Sequence, residues 1–220
     1  MKRAAIGFRM HSGWGALVAV SQNARGVDIL ERRRIVVIEP KIPGAKQPYH
    51  FSERLEFSEA EKFLTRCFVA SRQFALGAIR ESVDSLRERQ YSVVGAAIVL
   101  ASGRPLPPLA KILASHASIH TAEGEFFREA IWKACQSLDI PITGFRERDL
   151  DDCAAAAFGK AAPKLSRQIS TMGRSIGPPW TADQKTASVA ALLVLSNKQK
   201  SLASFHRQPN FQYLHPPLLK

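Results

Sequence analysis

Short apolar runs open the chain and a longer helical repeat follows them, so the change of period divides the first half into strands and then a helix. Residues 4–8 (AAIGF) and 14–21 (WGALVAVS) read as strands with a turn at residues 9–13, and residues 34–38 (RIVVI) read as a third after the turn region at Gly26. Three strands joined by short links predict an antiparallel meander. Residues 39–58 contain Pro40, Pro43, Gly44 and Pro48, which predicts an irregular surface crossover. Ser58 with Glu61 three residues on forms a capping-box pattern, so a helix is expected over residues 59–88. Its apolar stripe starts at Phe63, Cys67, Ala70 and Phe74 and drifts toward Leu76, Ile79, Val83 and Leu86.

Residues 92–101 (SVVGAAIVLA) are almost uninterruptedly apolar and of strand length, the pattern of a central strand covered on both faces. After a break at residues 103–108, a helix is expected over residues 109–138, or two segments meeting near Ser115. Residues 140–145 (IPITGF) read as a short strand that tolerates Pro141 at its start. The connection from residue 92 to residue 145 predicts that these last two strands run parallel. An alanine-rich helix over residues 149–158 should end at Gly159. Gly177-Pro178-Pro179 forces a break, and Thr181 can cap a last helix reaching residue 195, with Asp183, Ala187, Ala190 and Val194 on one stripe.

The middle helix carries the first chemical candidate. At 100° per residue Leu113, His116, His120, Glu123, Phe127, Ile131 and Ala134 share a stripe, while Glu125, Arg128, Glu129 and Lys133 point toward water. A stripe apolar at both ends with His-His-Glu at its centre buries three titratable groups, which is costly unless they find partners. Two readings follow. His116, His120 and Glu123 can converge on one metal ion, since imidazole with carboxylate suits zinc, manganese or iron; or they form a satisfied internal network of hydrogen bonds and ion pairs.

Composition narrows the class. The 220 residues, 45% of them hydrophobic and 23% charged, suit one α/β domain over residues 1–196 with a tail at residues 197–220. In that tail Phe205, Phe211, Tyr213 and Leu214 suggest docking on the body or on a second subunit, which leaves a homodimer open. No apolar run reaches membrane-spanning length. Arg9 and His11 interrupt what would be the apolar region of a leader, so a cytoplasmic protein is expected. Cys67, Cys135 and Cys153 are widely spaced and form no CxxC pair, and they are expected as core thiols. Thirty-one Lys and Arg against nineteen Asp and Glu give a formal charge of +12, which favours a polyanionic partner such as nucleic acid. Residues 160–174 (KAAPKLSRQISTMGR) carry Lys160, Lys164, Arg167 and Arg174 with no acidic residue, and Arg32, Arg33 and Arg34 lie at the entry to the third strand. These seven are the candidates for nucleic-acid contacts.

Three stretches carry a family resemblance. AIGFRMHSGWGALVAV resembles the first hairpin of the Holliday-junction resolvases, the RuvC-like branch of the ribonuclease-H-like superfamily. EGEFFREAIWKACQSLDIPITGF is similar to that family's helix and following strand, and PPWTADQKTASVAALLVL is similar to its final helix. The resemblance implies an α/β fold whose five-stranded mixed sheet joins a three-strand antiparallel meander to two parallel strands, flanked by helices. It also implies carboxylates from the first strand, the fourth strand and the last helix holding two divalent metals. Here Arg9 takes the first-strand position, the fourth strand ends without a carboxylate, and Trp180 stands where one aspartate would be; only Asp183 remains. The expectation is therefore a basic nucleic-acid-binding protein with a degenerate, non-catalytic centre. The alternatives are a nuclease with a site rebuilt from Arg9, His116, His120, Glu123 and Asp183 around a divalent metal of unknown identity, or a protein-interaction subunit. Whether the protein is an enzyme stays open at this point.

Overall fold

Among the described residues five strands form one sheet, in which the third, second, first, fourth and fifth strands along the chain lie side by side in that order. In the computed structural model, which describes residues 1–24, 26–101 and 105–196, these are β1 (Lys2–His11), β2 (Trp14–Asn23), β3 (Gly26–Val36), β4 (Tyr91–Leu100) and β5 (Ile142–Arg146). β1 pairs antiparallel with β2, and β2 with β3, whereas β1–β4 and β4–β5 are parallel. This is the ribonuclease-H-like arrangement that the element order implied. The expectations for the tail and for Ser102 and Gly103 lie outside the described residues.

The helices are α1 (Pro48–Ser52), α2 (Phe57–Glu88), α3 (Leu109–Leu113), α4 (His116–Ser137), α5 (Leu150–Phe158), α6 (Ala162–Thr171), α7 (Gly173–Ile176) and α8 (Ala182–Leu195). Alternation along β1 builds a core on each face of the sheet. Ile6, Phe8 and Met10 join residues of α2 and α4 in one core, and Ala5 joins residues of α5, α6 and α8 in the other. Gly7 shares the second face, where a Cβ would lie 1.9 Å from the Ala187 carbonyl oxygen, so α8 rests directly on the β1 backbone. The small residues of the predicted stripe, Ala187 and Ala190, are fully buried there.

Several expectations need correction. β3 starts at Gly26, eight residues before the predicted strand, because it pairs with β2 over the full length from Asn23↔Gly26 to Trp14↔Val36. As an edge strand it can carry Glu31, Arg32, Arg33 and Arg34 within the ladder, where a periodicity reading sees only a polar run. Ser58 does not cap α2, since the backbone is still extended at Glu56 and already helical at Phe57, and no side-chain cap bond forms. The crossover holds a helical turn, α1, opened by Pro48 at its first position. The middle helix is two segments, with Ser115 accepting a hydrogen bond from the Ser118 N–H at the cap of α4. Arg128 and Glu129 are not directed to water: they are 9% and 2% exposed, because α4 is enclosed between α1, α2 and the sheet. At the last helix the reading holds, as Thr181 and Gln184 close a capping box.

Candidate functional site

Because β1, β4 and β5 are parallel, their carboxyl ends lie along one edge of the sheet, the position at which α/β sheets place ligands. Arg9 lies near the end of β1 and reaches Glu147 just past β5, with Nη2 at 2.9 Å from Oε2. His11 shares the α8 face with Gly7, and its Nε2 lies 2.9 Å from Oδ1 of Asp183 in the first turn of α8. From the opposite face Arg128 of α4 donates through Nε to the Val99 carbonyl at 3.3 Å and through Nη1 to Glu125 at 2.9 Å. Burial pushes the Glu125 carboxyl up, with Arg128 opposing the shift, and burial lowers the Arg128 guanidinium, which feels both Arg9 and Glu147.

This edge does not fit a pair of divalent cations. Two hard cations need several convergent oxygen ligands free of other partners. Here the guanidinium groups of Arg9 and Arg128 occupy the neighbourhood, Glu147 is held by Arg9 and Asp183 by His11. Charge repulsion would add to the loss of ligands.

The rest of the predicted composite gathers elsewhere. Glu123, 2% exposed, accepts from His50 Nδ1–H at 2.8 Å and from the His50 backbone N–H at 3.4 Å. It also accepts from the Tyr49 backbone, so it satisfies the first-turn donors of α1 in place of a local cap. Burial raises the Glu123 carboxyl, and the bonds from His50 and Tyr49 pull it back. His116 and His120 are one turn apart at the start of α4, with their Nε2 atoms 3.1 Å apart, and both rings meet His50 edge-on at 5.6 and 4.7 Å between centroids. His116, His120 and Glu123 therefore stand together on the α2/α4 face, while Asp183 and Arg9 engage His11 and Glu147.

The seven basic candidates fall into three situations. Arg32 is consumed by the backbone: Nη1 donates to the Gly177 and Pro179 carbonyls, each at 2.7 Å, and Nη2 to Ile176. Arg33 pairs with Glu31 at 3.0 Å and Glu81 at 2.8 Å and donates to the Ala78 carbonyl. Arg34 is exposed and lies 4.2 Å over the Trp14 ring, which also stacks on His11 at 4.4 Å. Lys160, Lys164, Arg167 and Arg174 are exposed, and among the described residues their side chains have no ion pair. α6 presents Lys164 and Arg167 because Leu165 and Ile169 are buried on its other side and Gln168 anchors it to both backbone groups of Val27, at 3.3 and 3.2 Å.

Sequence reasoning missed His50, His11 and Glu147. His50 follows Pro48 in a stretch without periodicity, and the only local sign of order was a proline suited to the first position of a helix. Trp180, which stands where the resemblance has an aspartate, donates its indole N–H to the Ile169 carbonyl at 2.7 Å. Cys67, Cys135 and Cys153 form no disulfide and are buried in α2, α4 and α5, as expected. Among the described residues no helix is long and apolar enough to cross a membrane.

No protein-family model matches the chain, and no curated protein matches it. Among solved structures it is similar to Thermus thermophilus RuvC, at 10% identity and a TM-score of 0.46, over 91% of this chain and 94% of that one. It is similar to T. thermophilus RuvC in complex with Holliday junction substrate at 10% identity and a TM-score of 0.48, over 92% and 95% of the two chains. It is also similar to an Aquifex aeolicus member of the Ppx/GppA family, at 11% identity and a TM-score of 0.35, over 73% of this chain and 40% of that one.

Proposed function

We propose that the protein binds nucleic acid through the phosphate backbone along the α6–α7 face, and that its strand-end centre does not cleave by a two-metal mechanism. The observation that carries the reading is the group of four exposed cations, Lys160, Lys164, Arg167 and Arg174, in a segment without a carboxylate. Cations that have no ion pair among the described residues keep their charge available to phosphates, whereas Arg32 and Arg33 have already committed theirs. The formal charge of +12 supports the same partner class. Arg9 in contact with Glu147, and Asp183 with His11, supports the non-cleaving half, because neither carboxylate is left to hold a cation.

The test is fluorescence anisotropy with labelled single-stranded, duplex and four-way-junction DNA and with RNA, from about 50 to 200 mM salt. Binding should weaken steeply with salt, and Lys164→Glu with Arg167→Glu should weaken it on every substrate and lower the salt slope by roughly two. Salt-insensitive binding, or none, would overturn the phosphate reading and turn attention to a protein partner. Cleavage that needs magnesium or manganese and is lost in Asp183→Asn would overturn the non-cleaving half.

A further inference from the structure

We propose that His50, His116 and His120 form a binding site for one divalent transition ion, zinc foremost, in which Glu123 is the carboxylate behind His50. The site lies on the α2/α4 face of the sheet and is independent of the nucleic-acid reading.

Three imidazole nitrogens, one from each ring, lie within 4.8 Å of one another. Two zinc-bound nitrogens at about 2.0–2.1 Å from the metal are about 3.3 Å apart in a tetrahedral site. The 3.1 Å between His116 and His120 Nε2 already meets that separation. The His50 ring completes the set by a side-chain shift on the order of 1 Å, which brings its nitrogen within the same reach.

The surroundings are those of an oriented ligand. His50 Nδ1–H is bound to Glu123, which leaves Nε2 as the free lone pair, and this carboxylate–imidazole relay is the usual support of a metal-binding histidine. The second Glu123 oxygen, Oε1, is buried and has no hydrogen-bond partner, so the carboxylate has acceptor capacity left for a water. His50 is itself anchored by its neighbours. Tyr49 is fully buried edge-on to Phe126 of α4 at 6.0 Å, and Phe51 stacks on Phe63 of α2 at 4.6 Å. The carboxylate offsets one of the two charges of the ion, and the exposed His116 and His120 leave a coordination position facing solvent. An all-imidazole inner set selects zinc, nickel, cobalt or copper over magnesium and calcium.

The test uses the full chain with zinc alone, by calorimetric titration and equilibrium dialysis, and cobalt(II) as a spectroscopic probe of geometry. One equivalent of zinc should bind, and cobalt(II) should give the intense visible bands of a four-coordinate site. His116→Ala with His120→Ala, both on the surface, should weaken zinc binding at least 100-fold while the far-UV circular dichroism is unchanged. Glu123→Gln should weaken it about tenfold. His206→Ala with His215→Ala, which removes the two histidines of the tail, should leave it unchanged. No saturable zinc or cobalt(II) uptake by the folded chain would overturn the proposal. So would uptake that survives loss of His116 and His120, or that disappears with His206 and His215.

Discussion

The same substitution, glycine to alanine, should have opposite signs at Gly7 and Gly77. At Gly7 an added Cβ would meet the Ala187 carbonyl oxygen at 1.9 Å, its carbon at 2.8 Å and the Ala191 methyl at 3.1 Å. The first two are backbone atoms of α8, so no rotamer change relieves the clash. Restoring an ordinary contact of about 3.2 Å requires α8 to move off β1 by more than 1 Å, and the fully buried Ala187, Ser188, Ala190, Ala191 and Leu193 move with it. Overpacking of this kind costs about 1–3 kcal/mol, and a rigid obstacle argues for the upper end. Alanine recovers about 0.5–1 kcal/mol of the conformational entropy that glycine loses on folding, which leaves a net loss of about 2 kcal/mol. At Gly77, inside α2, nothing lies within 4 Å of the added Cβ, so only the helix-propensity gain remains and the protein should be stabilised by about 0.8 kcal/mol. Urea unfolding followed by circular dichroism measures both, and the far-UV spectrum verifies that each variant folds. A Gly7→Ala midpoint equal to that of the unaltered protein would refute the direct seating of α8 on β1. With it would fall the placement of Asp183 beside His11.

Thr181→Ala should lose about 1 kcal/mol in the same assay, because it removes the side-chain cap of α8, whereas Thr181→Asn should lose less. Burial raises the Glu125 carboxyl in the folded state, so its contribution to stability is present below the unfolded value near 4.5 and is lost as pH rises through the folded value. The stability of the protein relative to Glu125→Gln should accordingly fall from pH 4 to pH 7, and a relative stability that rises would contradict the buried placement. The Cys67 thiol is pushed up to about 11 by burial, and burial raises Cys135 further. At pH 8 the native protein should be inert to a disulfide reagent over minutes and should titrate three thiols once unfolded in urea; rapid native labelling would contradict it.

What the sequence revealed and what it hid follow from the range of each signal. The strands, α2, α5 and α8 were legible because period, capping and breaking residues act within a few positions, as with Thr181 and Gly159. β3 was underestimated because its length is set by its partner: Arg32, Arg33 and Arg34 are in strand conformation through the ladder with Val18, Leu17 and Ala16. Arg128 and Glu129 were assigned to water because a helical wheel supposes one buried face, and α4 has more than one. His50 could not be paired with Glu123 from sequence, since 73 residues separate them and the meeting depends on how a proline-rich crossover lies across α4. The histidine stripe was legible, but its partner was a matter of tertiary structure.

The parity of β1 explains why the predicted composite divides. Ile6, Phe8 and Met10 face α2 and α4, so the alternate positions Gly7 and His11 must face α8, and Asp183 at the head of α8 meets His11 there. Glu123 is on α4, across the sheet, and finds its counterpart in α1, which packs on α2 and α4. No change of register in β1 would join them, because Glu123 is carried by α4 and Asp183 by α8, on opposite faces of the sheet. The tight seat of α8 therefore fixes more than stability. It sets Asp183 beside His11, while Glu123 and the three histidines form a cluster of their own on the other face.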